Sequence, residues 1–367
     1  MRVTLVPSET GDSSLDENVL SYTGTPSKLV LRDLGLIWKN KTYALTGVIF
    51  PWKINSTDKY DELYLKNWRN IRSIATHFLL LHNQVFIIIF VLVFGLSPVP
   101  ILPFPVAPFW YLVWFFGVLG LNKLICLSLN GPLTVYPTKE VLEELRREGD
   151  VKKFENEYWV YLNGVSIGHD WLQSNVDRLS LTFRRPVVGV HNPTSGILFD
   201  LIQCLVQRNF TYSTQDVREA YAQVKQALLK KKGGKNEDAY NKVVFILHSQ
   251  GGIEGGLAIN WVLDELPQDT MNKLEVYTFG NAANHFSNPQ RSRQWTGPKT
   301  YHVPKAIRYI EHYANHGDFV SRFGVLNFVE SSNNFMGRVF ISPNGGHLLC
   351  QHYLHDMVSN LTRRIES

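Results

Sequence analysis

Charge is missing where a soluble domain would carry it. From Ser73 to Asn122 the chain runs 50 residues without Asp, Glu, Lys or Arg. That gap argues against an ordinary solvated surface over this stretch. Cysteine is scarce: Cys126, Cys204 and Cys350 are far apart and have no metal-type spacing. A disulfide framework and a cysteine-built zinc site are therefore not expected, and the usage fits a reducing compartment. No concentrated basic surface is present. The formal charge is +5 over 367 residues, and the run Lys230, Lys231, Lys232 lies in a Gly-rich polar loop, which reads as a solvated face and not a nucleic-acid site. No cleavable signal peptide is read in residues 1–25, which are polar and expected to be disordered.

Within the uncharged stretch two apolar blocks stand out, 78–96 and 109–129, each about 20 residues, enough for a helix to cross a hydrocarbon core near 30 Å thick. Between them lie Pro98, Pro100, Pro103, Pro105 and Pro108, which break a helix. The expectation is a transmembrane helical hairpin whose tip turns either beyond the membrane or within it. Lys59, Lys66, Arg69 and Arg72 precede it, and Lys123, Lys139, Arg146 and Arg147 follow it. The positive-inside rule then puts both ends on the cytosolic side. Trp110, Tyr111 and Trp114 fit an interfacial belt. Sequons at Asn40, Asn55, Asn209 and Asn360 point to the opposite topology, but four is near chance for this length.

The expected organisation is a disordered start (1–25), an N-terminal cytosolic segment (26–72), the membrane hairpin (73–129), a charged, helical linker (130–157) and a C-terminal domain (158–367). In 26–72, the apolar runs 29–38 and 43–52 read as a strand pair or an amphipathic surface lying on the membrane. From 158 onward strand and helix patterns alternate. Strands are expected at 158–162, 186–190, 243–247, 274–279, 307–313 and 339–342. Helices are expected at 170–183, 197–208, 214–230, 253–266 and 348–361. Such alternation implies an α/β fold, a mainly parallel sheet with helices on both faces.

The most informative stretch runs from Val243 to Gly252. A buried strand leads into Ser249, and Gly251 and Gly252 open a helix. A serine on such a turn is exposed at the carboxyl edge of the sheet, beside the amides of the next helix. That is where an acyl-transfer nucleophile belongs. The alternative is a serine that merely caps the helix. Leu247 stands where Gly-x-Ser-x-Gly has its first glycine, which forces a wider crossing of strand and helix or a neighbour that yields.

A nucleophilic serine needs a base, and the base needs an acid to orient it. Asp318 follows the 307–313 strand, and His347 follows the last short strand on a Gly345-Gly346 loop, giving the chain order Ser, Asp, His. Asp318 as a plain turn cap, Glu311 as the acid, and His352 or His355 as the base are the alternatives. The spacing of the three histidines does not make a metal face, so neither a metal nor a cofactor is expected. Oxyanion donors are sought at the Gln250 amide and in the loop bearing Gly164 and Val165. For Asn163-Gly164 the alternative is an ordinary turn.

With these motifs in hand, Leu247-His248-Ser249-Gln250-Gly251-Gly252, Leu162-Asn163-Gly164-Val165, His316-Gly317-Asp318-Phe319-Val320 and Gly346-His347, the chain resembles the α/β-hydrolase superfamily over residues 158 to 360, particularly its lipase and serine-esterase branch. The segments at Asp170 to Arg178 and Leu274 to Asn284 are similar to uncharacterised fungal membrane-associated proteins with a hydrolase-like C-terminal half. The resemblance implies ester or related acyl hydrolysis, with Ser249, Asp318 and His347 as the triad. The expected function is a membrane-anchored serine hydrolase acting on a lipid-like ester. Its expected partners are membrane lipids and a hydrophobic ester, not nucleic acid, and its expected place is the endoplasmic reticulum or lipid droplet with the hydrolase domain cytosolic. The alternative is a catalytically silent hydrolase-fold scaffold or lipid-binding protein. Amide hydrolysis with the same trio is a third reading.

Overall fold

A computed structural model describes residues 2–5, 24–44, 56, 58–95, 108–233, 237–289, 305–329 and 335–355. Eight strands form one sheet: β1 (Arg2–Leu5), β2 (Thr134–Val135), β3 (Glu157–Leu162), β4 (Val187–Val190), β5 (Lys242–His248), β6 (Leu274–Phe279), β7 (Tyr309–Gly317) and β8 (Arg338–Gly345). Their spatial order is β1-β8-β7-β6-β5-β3-β4-β2. The six central strands pair in parallel. The two edges, β1 on β8 and β2 on β4, are antiparallel.

The core follows from the pleat. Along β5, Val243, Phe245 and Leu247 point into one apolar cluster while Val244 and Ile246 point into another. A strand buried on both faces must be apolar at every position, which is why this run reads as continuous. Helices Gln215–Leu229 and Gly251–Glu265 cover the first face, and helix His169–Phe183 covers the second. The helices after β3 and β5 thus lie on opposite faces of adjacent strands. In an open parallel sheet that reversal opens a crevice at the carboxyl ends of the two strands. The three cysteines are free and buried.

Several expectations about the first half need correction. Arg2–Leu5 is a strand on the sheet edge, so part of the stretch expected to be disordered is ordered by pairing with β8. Residues 6–23 lie outside the described residues. The 29–38 run is not a strand, and its Leu31, Leu34 and Trp38 are exposed. It belongs to one helix, Pro26–Lys39, whose Leu36 and Ile37 pack on the main core. Asp33 in that helix ion-pairs with Arg208 at 2.9 Å and accepts from Asn209 at 2.7 Å. Most of the 43–52 run lies outside the described residues. The expected linker contributes an edge strand, β2, besides helices Lys139–Arg147 and Asp150–Lys153. The sheet therefore recruits chain before residue 158, because two residues suffice to close an edge. The closing segment is a π-helical turn, Leu349–Leu354, and residues 356–361 of the expected 348–361 helix lie outside the described residues.

Helix Trp68–Phe90 continues into a π-helical turn, Val91–Gly95, and is followed by helix Pro108–Leu127. Among the described residues one helix, Trp68–Val93, is long and apolar enough to cross a membrane; Leu112–Leu127 is a shorter apolar helix. The pair is held together by Trp114 against Phe86 and Phe90, with ring centroids 5.0 and 4.3 Å apart.

Candidate active site

β5 ends at His248, and Ser249 takes φ +61° before the chain enters helix Gly251–Glu265. A non-glycine residue in the left-handed region costs on the order of 1–3 kcal/mol and persists only where its surroundings hold it. Here the Ser249 N–H donates to the Phe279 carbonyl at 3.0 Å, and its own carbonyl accepts from Gly252 and Ala282 at 3.0 and 3.1 Å. Leu247 does not push the turn apart. The neighbour that yields is Gly255, one turn into the helix: a Cβ there would fall 2.3 Å from Leu247 Cδ2 and 2.5 Å from Cδ1.

Asp318 and His347 meet at the carboxyl ends of β7 and β8. The His347 Nδ1–H donates to Asp318 Oδ2 at 2.9 Å. The same oxygen accepts from the Tyr353 hydroxyl at 2.6 Å and the Ser321 hydroxyl at 3.0 Å, while Oδ1 accepts from the Val320 N–H at 2.8 Å. Asp318 is thus a helix cap and an imidazole partner at once. Burial pushes its carboxyl up, but the His347 imidazole and the surrounding donors outweigh this and hold it below the usual carboxylate range. Tyr353, buried beside this carboxylate, has its hydroxyl pushed well above the ordinary tyrosine value. Donation at Nδ1 leaves His347 Nε2 as the acceptor. That nitrogen is buried and has no hydrogen-bond partner, so the Ser249 hydroxyl is not bonded to it here. Such contacts are often long without substrate and tighten in the Michaelis complex.

Gly280, at φ +57°, lies against the acid–base pair. A Cβ there would be 2.9 Å from Asp318 Oδ2 and 3.0 Å from His347 Cε1. The His248 ring stacks on the His347 ring with centroids 4.7 Å apart, and its Nε2–H donates to the His347 carbonyl at 2.8 Å. Burial, reinforced by the neighbouring His347, lowers the His248 pKa to about 3, so it is neutral at physiological pH and fixes the His347 loop without adding charge. His248, Tyr353 and Gly280 escaped the sequence reading. The one available signal was His248, next to the serine at the end of an apolar strand.

The expected oxyanion residues lie around the crevice. Gly164 is pressed on the serine: a Cβ there would land 2.3 Å from Ser249 Cβ and 2.8 Å from Oγ. Val165 sits in the turn that follows. Gln250 is the N-cap of helix Gly251–Glu265, where an amide N–H has no partner within the helix. Its side chain is clamped, accepting from Asn192 at 3.1 Å and donating to Gln207 at 2.6 Å. Asn163 accepts from the Asn192 N–H at 2.8 Å and donates to the Asn192 carbonyl at 3.1 Å, tying the loops after β3 and β4 together. Asp200, with its carboxyl pushed up to about 6 by burial, accepts from the Ser166 N–H at 2.9 Å. Ser166 has φ +56°, so this contact holds the candidate oxyanion loop in its turn.

The alternatives sit elsewhere. Glu311 accepts from the Tyr313 hydroxyl. His352 Nδ1 accepts from the Leu348 N–H at 3.0 Å, capping the closing turn, and His355 is exposed. Among the described residues no group of three or more His, Cys, Asp or Glu side chains could hold a metal ion.

No family model matches the sequence, and no curated protein matches it. Among solved structures, the chain is similar to Trichoderma reesei cutinase in complex with a C11Y4 phosphonate inhibitor. Identity is 17%, covering 39% of this chain and 63% of that one, with a TM-score of 0.21. The chain thus spans less than two thirds of the cutinase's length, and so loose a likeness carries no argument about the site. What stands on the coordinates alone is a mixed α/β fold whose mostly parallel sheet suits a hydrolase-like domain.

Proposed function

We propose that this chain is a membrane-anchored serine hydrolase that cleaves a lipid-like ester. The observation that carries the reading is the strained turn at Ser249 together with a buried Asp318–His347 pair whose Nε2 is left as an unpartnered acceptor. In this reading Ser249 Oγ attacks the ester carbonyl while His347 Nε2 takes its proton. Asp318 holds the ring and stabilises the imidazolium. The tetrahedral oxyanion is received by backbone N–H groups from Gln250 and the Gly164–Val165 loop. His347 then returns the proton to the departing alkoxide, and water repeats the sequence on the acyl-enzyme.

The uncharged hairpin supports membrane attachment, which would place the site where apolar esters concentrate. With both hairpin ends cytosolic, the endoplasmic reticulum or a lipid droplet is the fitting location. Two of the sequons do not oppose this topology: Asn40 and Asn209 are buried and hydrogen-bonded inside the fold. Leu247, in place of the first glycine of the turn, is what favours the silent-scaffold reading, and Gly255 makes room for that side chain.

A fluorophosphonate probe tests the chemistry. The wild-type protein should be labelled, Ser249→Ala should not be, and His347→Ala should lose most of the rate. Absence of labelling on folded wild-type protein overturns the proposal in favour of the scaffold.

A further inference from the structure

The two candidate oxyanion donors sit on different elements, and their spacing has to be set. β3 and β5 are adjacent and in register, with Leu162 opposite Leu247. The register stops there. The Gln250 N–H lies at the start of a helix, and the Gly164–Val165 peptide lies in a loop. Among the described residues neither the Val165 nor the Gln250 N–H donates to a backbone carbonyl.

Asn192 is bonded to both elements. It follows β4, which flanks β3 on the side away from β5. Its backbone N–H donates to Asn163 Oδ1 at 2.8 Å, and its carbonyl accepts from Asn163 Nδ2 at 3.1 Å. Asn163 Nδ2 also donates to the Gly164 carbonyl at 2.9 Å. That carbonyl and the Val165 N–H belong to one planar trans peptide, so they point in opposite directions. The bond that fixes the carbonyl therefore aims the N–H away from Asn163. The Asn192 side chain reaches the nucleophile turn, where its Nδ2 donates to Gln250 Oε1 at 3.1 Å.

The row continues beyond Gln250. Gln250 Nε2 donates to Oε1 of Gln207, on helix Ile197–Phe210, at 2.6 Å. Gln207 Nε2 donates to Glu254 Oε1 and to Thr214 Oγ1, both at 3.0 Å. The three amides donate in one direction, away from Asn192, and Glu254 ends the row as acceptor. Asn163, Asn192, Gln207, Gln250 and Glu254 are all buried. Bonded polar side chains in a core add little net stability over apolar ones of the same shape. What a bonded row does supply is rigidity and a fixed orientation.

We propose that Asn192 is a positioning residue for the ester hydrolysis proposed above, holding the Gln250 and Val165 N–H groups at the spacing one oxyanion requires. The inference rests on that hydrolase reading. Asn192 acts through Asn163 and Gln250. Because the oxyanion forms only on attack, its contribution belongs to the transition state and not to substrate binding.

Hydrolysis of p-nitrophenyl butyrate by the full-length protein in mild detergent tests this. Asn192→Ala keeps both backbone contacts to Asn163 and removes the donor to Gln250. Its kcat should fall about 10–100-fold with KM within about twofold, the pattern of a misplaced transition-state contact. Affinity for a trifluoromethyl ketone, whose serine adduct carries the oxyanion, should fall by the same factor as kcat/KM. Gln250→Met keeps the backbone N–H and removes the acceptor, so in that background Asn192→Ala should cost little more. Asn192→Ser, a smaller change that shortens the side chain out of reach of Gln250, carries the same measurement if Asn192→Ala does not fold. A folded variant with wild-type kcat, or one that loses stability in urea but keeps wild-type affinity for the ketone, overturns the inference and leaves the hydrolase reading standing. Additive losses in the Gln250→Met background do the same. If the wild-type protein neither hydrolyses the ester nor takes up the fluorophosphonate, the hydrolase reading falls and the inference with it.

Discussion

The contact between Leu247 and Gly255 yields a prediction whose size comes from the structure. Ala at an interior helix position is favoured over Gly by about 1 kcal/mol, so Gly255→Ala would stabilise an unencumbered helix. Here its Cβ would sit 2.3 Å from Leu247 Cδ2, far inside the 3.5–4.0 Å or so of a normal carbon contact. Leu247 is fully buried and has little room to withdraw. Overpacking of this kind costs about 1–3 kcal/mol, so the single variant should lose up to about 2 kcal/mol net. Leu247→Ala alone removes a buried isobutyl group and should cost about 2–5 kcal/mol. In the double variant the new methyl occupies part of the vacated space. The combined loss should then be smaller than the sum of the single losses by about 1–3 kcal/mol, the coupling expected of residues in contact. Urea unfolding in mild detergent, followed by tryptophan fluorescence, measures the three differences. The fluorophosphonate labelling rate reports the turn: Gly255→Ala should slow it, and the double variant should recover part of it. A stabilised Gly255→Ala, or additive losses in the cycle, would refute the claim that this glycine makes room for the leucine.

Three further expectations follow from contacts around the site. Gly164→Ala places a methyl 2.3 Å from Ser249 Cβ; labelling should fall about 10²-fold or more, the scale of a lost oxyanion donor, while circular dichroism shows the fold retained. Asp33→Ala leaves the Arg208 guanidinium buried without its carboxylate and should cost about 3–5 kcal/mol in urea unfolding. Replacing both, with Asp33→Leu and Arg208→Met, should recover much of that loss. Burial raises Glu62 to about 7 and Asp200 to about 6, above their unfolded values. Their neutral forms therefore favour the fold below about pH 4, and that contribution is lost as pH rises through the folded values. Glu62→Gln, which stays neutral, should therefore gain Tm relative to the wild-type protein as pH rises from about 5 to about 8.

What was legible in the sequence was local. β5 is apolar from Val243 to Leu247, so the strand, the turn at Ser249 and the following helix could be read from ten consecutive residues. β6 was legible from its alternation, with Leu274 and Val276 buried between half-buried Glu275 and Tyr277, and its bounds match at both ends. Asp318 and His347 each follow a strand, so chain order alone placed them at one sheet edge. The partners that orient them were not legible. Tyr353 approaches Asp318 only because the closing turn folds back over β7, and Glu62 reaches the Cys350 N–H across 288 positions. Nothing near Asp33 in the sequence marks its partner, since Arg208 lies on a distant helix. Yet one long-range contact left a local trace. Helix Gly251–Glu265 carries Gly255 and Gly256 in its interior, where each gives up about 0.5–1 kcal/mol relative to Ala. At Gly255 that loss is accounted for by the close approach of Leu247, the residue that stands in place of the glycine before the serine. The missing glycine of the turn and the surplus glycine of the helix therefore describe one packing arrangement, in which the space needed for strand and helix to cross comes from the helix side of the crossing.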